Sequence, residues 1–337
     1  MKSVAVAILN YNGSALLRNL LPLVVAHSPR ARVVVVDNGS TDDSQQIVQG
    51  TEGAEWLAVG SNLGYCGGYN FALSRLEEPF VVLLNSDVEV TAGWLDGPLE
   101  LLQKDTRVAA VQPKIKSWHH REQFEYAGAA GGHIDVLGYP FCRGRMFDTL
   151  EKDEGQFDDR QAISWATGAC MFVRRSAFLE VGGLDESFFA HMEEIDLCWR
   201  FSRAGYSVYY EGASTVFHMG GATLDASHPN KTYFNFRNGL AMLVKNLPAS
   251  TLGWLLPLRL FLDWLAAMRF ASQGKWSHAA AVFRAHGSLV GRLPAILSKR
   301  RKSSWAQAPI AHTYPGSVVY QYFIKGKKTF GSLPKPA

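Results

Sequence analysis

Cysteine is scarce in this chain. The four present (Cys66, Cys142, Cys170, Cys198) lie far apart, with no C-x-x-C pair. They supply neither a disulfide frame nor a zinc site, and read as buried thiols in a reducing compartment. Charge is sparse too: 19% of residues are Asp, Glu, Lys or Arg, and the formal net charge is +4. A nucleic-acid binder concentrates basic residues on one face, so no nucleic-acid partner is expected. This mild balance permits weak attraction to anionic lipid or phosphorylated ligands. The opening MKSVAVAILNYNG has one lysine and an apolar run too short for a secretion signal. The longest apolar stretch, TLGWLLPLRLFLDWLAAMRF, is broken by Pro257, Arg259 and Asp263. Charges are costly at the middle of a spanning helix, so this stretch is not expected to cross a membrane. There is no internal repeat.

What is present is a chain of 337 residues, 47% hydrophobic, enough for one large α/β domain with an appendage. Val4–Leu9, Arg32–Val36 and Phe80–Leu84 are nearly continuous apolar runs, as in strands covered on both faces. Between them, Ser14–His27, Thr41–Gln49 and Gly67–Leu76 have helical spacing. This alternation predicts a parallel wound sheet, in which ligands sit beyond the carboxyl ends of the strands. Residues 117–161, rich in Gly, His and charge without clear periodicity, are expected to form long loops or a small excursion covering the site. Ala162–Val173 reads as strand, Glu193–Ala204 as helix and Ser207–Phe217 as one or two strands.

The polar clusters after these runs carry the chemistry. Asp37 ends Val33–Val36 and precedes Asn38-Gly39-Ser40. A strand-end carboxylate can accept from a base or ribose, and the turn frees backbone donors; a simple helix cap fits equally well. The glycine-rich segment Asn62–Asn70, with Gly67 and Asn70, reads as a loop that lets backbone approach a ligand. Asn85-Ser86-Asp87 follows a very apolar strand, and Asp87 could give one oxygen to a hard divalent cation bridging a diphosphate. Glu193, Glu194 and Asp196 crowd a helix start behind the apolar Phe188–Met192, a setting for a raised carboxylate pKa and general-base work. Dipole complementarity alone would also place acids there. His218 ends the last strand-like run on the same rim.

In order, the segments ILNYNG, VVVVDNGSTD, NLGYCGGYN, LLNSDVEV, GACMFVRRSAFLEVGGLDESFFAHMEEIDLCWR and FHMGG resemble a family-2 glycosyltransferase of the GT-A fold over about residues 1–240. The likeness is greatest to the branch of bacterial rhamnosyl- and galactofuranosyltransferases. It implies a Rossmann-like, mostly parallel sheet flanked by helices, with a C-terminal helical extension. It also implies inverting transfer of a sugar from a dTDP- or UDP-sugar donor to a lipid-linked or polysaccharide hydroxyl in cell-surface glycan synthesis, aided by Mg²⁺ or Mn²⁺. By resemblance, Asp37 meets base and ribose, with Asn10, Tyr11 and Asn12 beside the same nucleotide. Asn85, Ser86 and Asp87 occupy the D-x-D position. Glu194 is the base, flanked by Glu193 and Asp196; His218 completes the metal site, and Gly168 and Ala169 lie under the donor sugar. Two positions depart from the family pattern: Asn85 replaces the first D-x-D carboxylate, and Glu194 replaces an aspartate, leaving Asp196 a rival base. A nucleotidyltransferase would want a basic G-x-G-T-R-like loop where Asn10–Gly13 stands. A non-catalytic nucleotide-sugar-binding scaffold at the membrane is the other alternative.

The expected division is a catalytic domain over 1–238, an amphipathic helical extension over 239–302 and a polar tail over 303–337. Trp254, Leu255, Leu258, Leu262, Leu265 and Met268 recur at helical spacing among Arg259, Arg269, Lys275 and Arg284. With Lys299–Lys302 this suits peripheral attachment to the cytoplasmic face of a membrane, or a helix packed on the domain. Lys231, Arg237 and Asn238 are candidates for donor phosphate or a pyrophosphate-linked acceptor, or for solvating the next helix.

Overall fold

The computed structural model describes residues 2–220, 228–303 and 306–334. Gly221 of the FHMGG segment, and residues 304–305 and 335–337 of the expected tail, lie outside them. The apolar runs fold as expected: β1 (Val4–Asn10), α1 (Ser14–Ala26), β2 (Ala31–Asp37), α2 (Ser44–Gln49), β3 (Ala54–Ala58), α3 (Gly64–Arg75) and β4 (Phe80–Asn85). These four strands are parallel, in the order β3-β2-β1-β4, with Asn10 opposite Asp37 and Leu9 opposite Asn85. Three polar strand ends therefore stand side by side at one edge.

The chain continues through β5 (Val88–Val90), α4 (Asp96–Lys104), β6 (Val108–Ser117), β7 (Gly132–Ile134), β8 (Pro140–Cys142), β9 (Arg145–Met146) and β10 (Thr149–Leu150). Then follow β11 (Arg160–Ile163), β12 (Cys170–Arg174), α5 (Arg175–Glu180), α6 (Glu193–Arg203) and β13 (Ser207–His218). The central sheet has nine strands, ordered β11-β13-β6-β12-β4-β1-β2-β3, with β5 on β13. β12 is antiparallel to both β4 and β6, while β13 runs parallel to β6. Strand alternation sorts the core into two layers. Val4, Val6 and Ile8 pack with Leu17, Leu21 and Val24 of α1; Ala5 and Ala7 face the side that holds Tyr69 and Leu73 of α3. Each fully buried large apolar side chain contributes about 1.5–3 kcal/mol.

The expectations fail in two places. The glycine-rich segment is not a loop: Gly64–Asn70 already belongs to α3. A Cβ on Gly68 would stand 2.4 Å from Leu9 Cδ1, so the glycine serves close helix–sheet approach. Residues 117–161, by contrast, hold loops and a four-stranded antiparallel sheet, β10-β9-β8-β7, the small excursion that was the second alternative there. Finally, the boundary expected at 238/239 falls inside α7 (Pro229–Asn246), which continues through α8 (Ala249–Ser272) and α9 (Trp276–Lys302).

The polar tail is also a structural strap. Ala308 O accepts from Trp199 Nε1 at 2.8 Å, Val318 N donates to Asp135 Oδ2 at 2.9 Å, and Tyr322 pairs with Thr149 at 2.8 Å. Phe330 packs on Phe141 and His133.

Candidate active site

The first wall of the site is built where β1 and β2 end. Asp37 is buried and accepts from Asn10 Nδ2 at 3.2 Å, Gly39 N at 3.2 Å, and Ser40 through both its backbone N at 3.0 Å and its hydroxyl at 2.5 Å. Asn12 N donates to Ser40 Oγ at 2.8 Å, and Thr41 N to Asn12 Oδ1 at 2.8 Å. Asn38 crosses to α3: its Nδ2 donates to Asn62 Oδ1 and Gly64 O, and its Oδ1 accepts from Leu63 N. The strand-end loops are thus locked together before any ligand arrives, while Tyr11 is 53% exposed at the rim. A Cβ at Gly13 would meet Asn10 Oδ1 at 2.4 Å and Ser86 Oγ at 3.7 Å, so this wall adjoins the end of β4.

The second wall joins β4 to β13. Asn85 N donates to Ala169 O at 3.0 Å, and Met219 N to Asp87 O at 3.0 Å. Asp87 and His218, both buried, face each other at 3.2 Å between Oδ1 and Nε2. His218 Nδ1 faces Glu125 Oε2 at 3.3 Å, within ion-pair reach though off the hydrogen-bond line. Burial alone would lower the imidazole pKa; the carboxylates of Asp87 and Glu125 more than reverse this, raising it to about 10. Glu125 was not foreseen. It lies in the region without periodicity, and no strand-end pattern marks it.

The third wall is the start of α6. Glu193 and Glu194 occupy its first turn. Burial pushes the Glu194 carboxyl up to about 7 against several backbone hydrogen bonds that lower it; burial and then Glu194 push Glu193 well above its usual range. Both keep an enclosed Oε2 with no hydrogen-bond partner among the described residues, as do Asn10 Oδ1 and His191 Nε2. Unpartnered buried polar atoms are costly, and these four, with His218 Nδ1, belong to the three walls. The turn ahead of α6 is strained: Phe189, His191 and Met192 all have positive φ, at roughly 1–2 kcal/mol each.

Tyr65 connects the walls. Its hydroxyl donates to Gly168 O at 2.8 Å, and burial, then Tyr69, Glu193 and Glu194 raise its pKa. A Cβ on Gly168 would lie 2.3 Å from that hydroxyl.

Several candidates are engaged elsewhere. Asp196 is removed as a rival base: Arg200, Lys245 and Asn246 donate to it at 2.8, 2.8 and 2.9 Å. Burial would raise its pKa, but Lys245 and Arg200 hold it below the usual value. Asn70 staples α3 to Leu184 and Glu186, and Gly67 lies against Leu63 within the helix, so both support the site from behind. Arg237 and Asn238 do not face a phosphate position; both donate to backbone carbonyls of residues 187–191. Lys231 stands over the Tyr126 ring.

Comparison with known proteins agrees with this geometry. Residues 3–182, just over half of the chain, match Glycosyl transferase family 2; Asn10 to Asp87 and Gly168-Ala169 lie inside the match, Glu193, Glu194 and His218 beyond it. The chain is 32% identical over 235 residues to an N-acetylglucosaminyl-diphospho-decaprenol L-rhamnosyltransferase of Mycobacterium tuberculosis, covering 65% of this chain and 76% of that one. In fold it is similar to a mannosyltransferase of Pyrobaculum calidifontis, solved with GDP-Man and Mn²⁺ (TM-score 0.53, 14% identity, 88% of this chain and 78% of that one). It is also similar to GalNAc-T7, solved with UDP, GalNAc and Mn²⁺ (TM-score 0.57, 13% identity, 92% of this chain), of which it spans 59%. The sheet order, the polar strand ends and the family match lead to one assignment: this chain belongs to glycosyltransferase family 2 and is a glycosyltransferase of the GT-A fold.

Proposed function

We propose that the chain moves a sugar from a nucleoside-diphosphate donor to a hydroxyl of a lipid-linked glycan acceptor, by a single inverting displacement. The observation that carries this is Glu194: a carboxylate raised to about 7, with an unpartnered oxygen, whose charge is felt by Tyr65, the residue bonded to Gly168 O beside the Ala169–Asn85 junction. A base poised near neutral pH suits an acceptor hydroxyl. As the acceptor oxygen bonds to the anomeric carbon, its proton passes to Glu194 and the bond from that carbon to the diphosphate oxygen breaks. Asp37, with Asn10, Asn12, Tyr11 and Asn38 around it, receives the nucleoside; Asn85 and Ser86 lie at the diphosphate, and Gly168 and Ala169 under the sugar. Glu193, whose carboxyl is pushed well above its usual range, stays protonated beside Glu194 and leaves Glu194 to ionise.

Asp87 and His218 would hold a divalent cation in exchange for the proton that Asp87 and Glu125 keep on the imidazole, since an oxygen and an imidazole nitrogen converge at 3.2 Å. Among the described residues no three His, Cys, Asp or Glu side chains are grouped to hold a metal alone, so donor oxygens and water complete the set. A divalent cation there supplies positive charge to the departing diphosphate. The rhamnosyltransferase relative names a decaprenol-linked diphosphate, which motivates the lipid-linked acceptor.

A membrane-facing surface suits such an acceptor. α8 is long and apolar enough by composition to cross a membrane, but Arg259 and Asp263 turn inward. Arg259 donates to Leu137 O at 2.8 Å and stacks 3.7 Å over Tyr139; Asp263 pairs with His286 at 3.2 Å. Trp254, Leu258, Phe261, Leu265 and Met268, one stripe at helical spacing, face outward; Leu255 of the expected stripe faces inward. A helix with one face bound to protein and the other apolar lies in an interface instead of spanning it. Of the basic residues, Lys299 and Arg300 bind Asp185 and the carbonyls of Val244 and Leu247, and Arg284 stacks over Tyr233; Lys275 and Lys302, with Arg301 bonded among the described residues only to Leu297 O of its own helix, suit anionic headgroups on the cytoplasmic leaflet.

Product analysis tests the transfer: nucleoside diphosphate released in step with glycosylated acceptor supports it. Pyrophosphate release, or donor binding without turnover across a broad acceptor screen, contradicts it.

A further inference from the structure

The turn in front of Glu193 and Glu194 takes a shape its own residues disfavour. Phe189 has φ 68° and ψ −57°, and Ala190 N donates back to Phe188 O at 2.9 Å. That is a γ-turn of the rare, strained, positive-φ form. His191 and Met192 follow with φ of 66° and 74°. The Phe189 ring is 61% exposed and touches α7 by stacking on Phe234 at 5.4 Å, so burial does not hold the turn.

The grip comes from α7. Asn238 is 1% exposed, and its Nδ2 donates to Phe188 O at 3.0 Å, Ala190 O at 2.8 Å and His191 O at 2.7 Å. Arg237 Nε donates to Asn238 Oδ1 at 2.7 Å, which fixes the amide with its NH₂ toward the carbonyls, and Arg237 Nη2 adds a bond to Phe188 O at 2.5 Å. Two amide hydrogens shared among three carbonyls are a donor arrangement that no isosteric carboxylate can imitate. Directly beyond, Asp196 N donates to Met192 O at 2.9 Å and α6 begins.

We infer that Asn238 is a positioning residue for the transfer reaction, latching the strained turn so that the Glu194 carboxylate is presented to the acceptor. This rests on the reading of Glu194 as the base. The latch also ties the catalytic turn to the helices of the membrane-facing side, because Arg292 of α9 donates to Ser187 O at 2.5 Å in the same turn.

The test uses the full-length chain with Asn238→Ala, Asn238→Asp and Asn238→Ala combined with Phe189→Gly. Amide hydrogen exchange over 189–192 is expected to quicken by about tenfold or more in both single variants, with β1 and β4 unchanged. Turnover number is expected to fall by about tenfold or more, with donor KM within about twofold. Phe189→Gly, which frees that position to adopt positive φ, is expected to recover part of the lost turnover. If the Asn238 variants do not fold, Arg237→Lys removes the bond that orients the amide and is expected to move both readouts the same way by less. Unchanged exchange overturns the latch, as does a loosened turn with parental turnover. A parent chain without any transfer would overturn the functional reading instead, and the exchange measurement would still decide the latch.

Discussion

Glu194 is a side chain under two opposed demands. Its ordinary carboxyl pKa of 4.5 is raised to about 7 in the folded chain, chiefly by burial. A group so raised contributes stability that is fully present below the unfolded value and lost as pH climbs through the folded one. Above pH 7 the ionised glutamate is therefore a burden on folding, and it is the form a base needs. Glu194→Gln is expected to raise the melting temperature at pH 8 by a few degrees, with a smaller gain at pH 5. The same change is expected to lower turnover by roughly a hundredfold to ten-thousandfold. Thermal unfolding and steady-state assays on one preparation check both, and an unaltered turnover removes Glu194 as the base. Gly168 offers a second case. Gly168→Ala places a methyl 2.3 Å from the Tyr65 hydroxyl, so the ring must swing off the cleft floor. The expected outcome is a loss of turnover larger than the loss of stability, read by kcat against melting temperature.

At the scale of elements, what could be read from the residues depended on burial and length. β1, β2 and β4 were legible because each is apolar on both faces, and their polar ends lay where a parallel sheet puts them. α3 was partly illegible, because three glycines erase helical propensity: Gly64 at a positive φ, and Gly67 and Gly68 where a side chain would collide with Leu63 or Leu9. Between Gly132 and Leu150 the strands are two or three residues long, too short to leave a period. Glu125 lies just ahead of them, and so went unseen. Asp196 resembled a base because spacing cannot reveal Lys245, forty-nine residues away in sequence. α8 carries its own expectation. Replacing Phe261 and Met268 with Asp is expected to weaken binding to anionic liposomes by tenfold or more (about 1.4 kcal/mol). Turnover on a water-soluble acceptor analogue should not change. Cosedimentation at low salt measures this, and undiminished liposome binding rejects the lipid-facing assignment.

For the whole molecule, the described residues of the polar tail pack back onto the catalytic domain. The strap from Ala306 to Pro334 passes over α6 and the small sheet, and Asp135 is its anchor, accepting from Leu137, Tyr139 and Val318 backbone amides. Asp135→Ala leaves three backbone donors without that acceptor, of which the buried Val318 amide costs about 1–3 kcal/mol and the half-buried Leu137 and Tyr139 amides less. Deleting residues 306–337 is expected to be worse, because it uncovers Phe141 and Trp199. Chemical denaturation of the two variants should give midpoints in the order parent, Asp135→Ala, deletion; parental stability in the deletion would return the segment to a passive tail.

The central claim is that three walls separated along the chain form one reaction centre with Glu194 as its base. The pH dependence of turnover, measured from pH 5 to 9 on parent and Glu194→Gln, tests it most directly. The parent should gain activity as pH rises through about 7, because only the ionised carboxylate accepts the proton, and the residual activity of Glu194→Gln should lack that rise. The same rise in both proteins would contradict the claim and place the base on another residue.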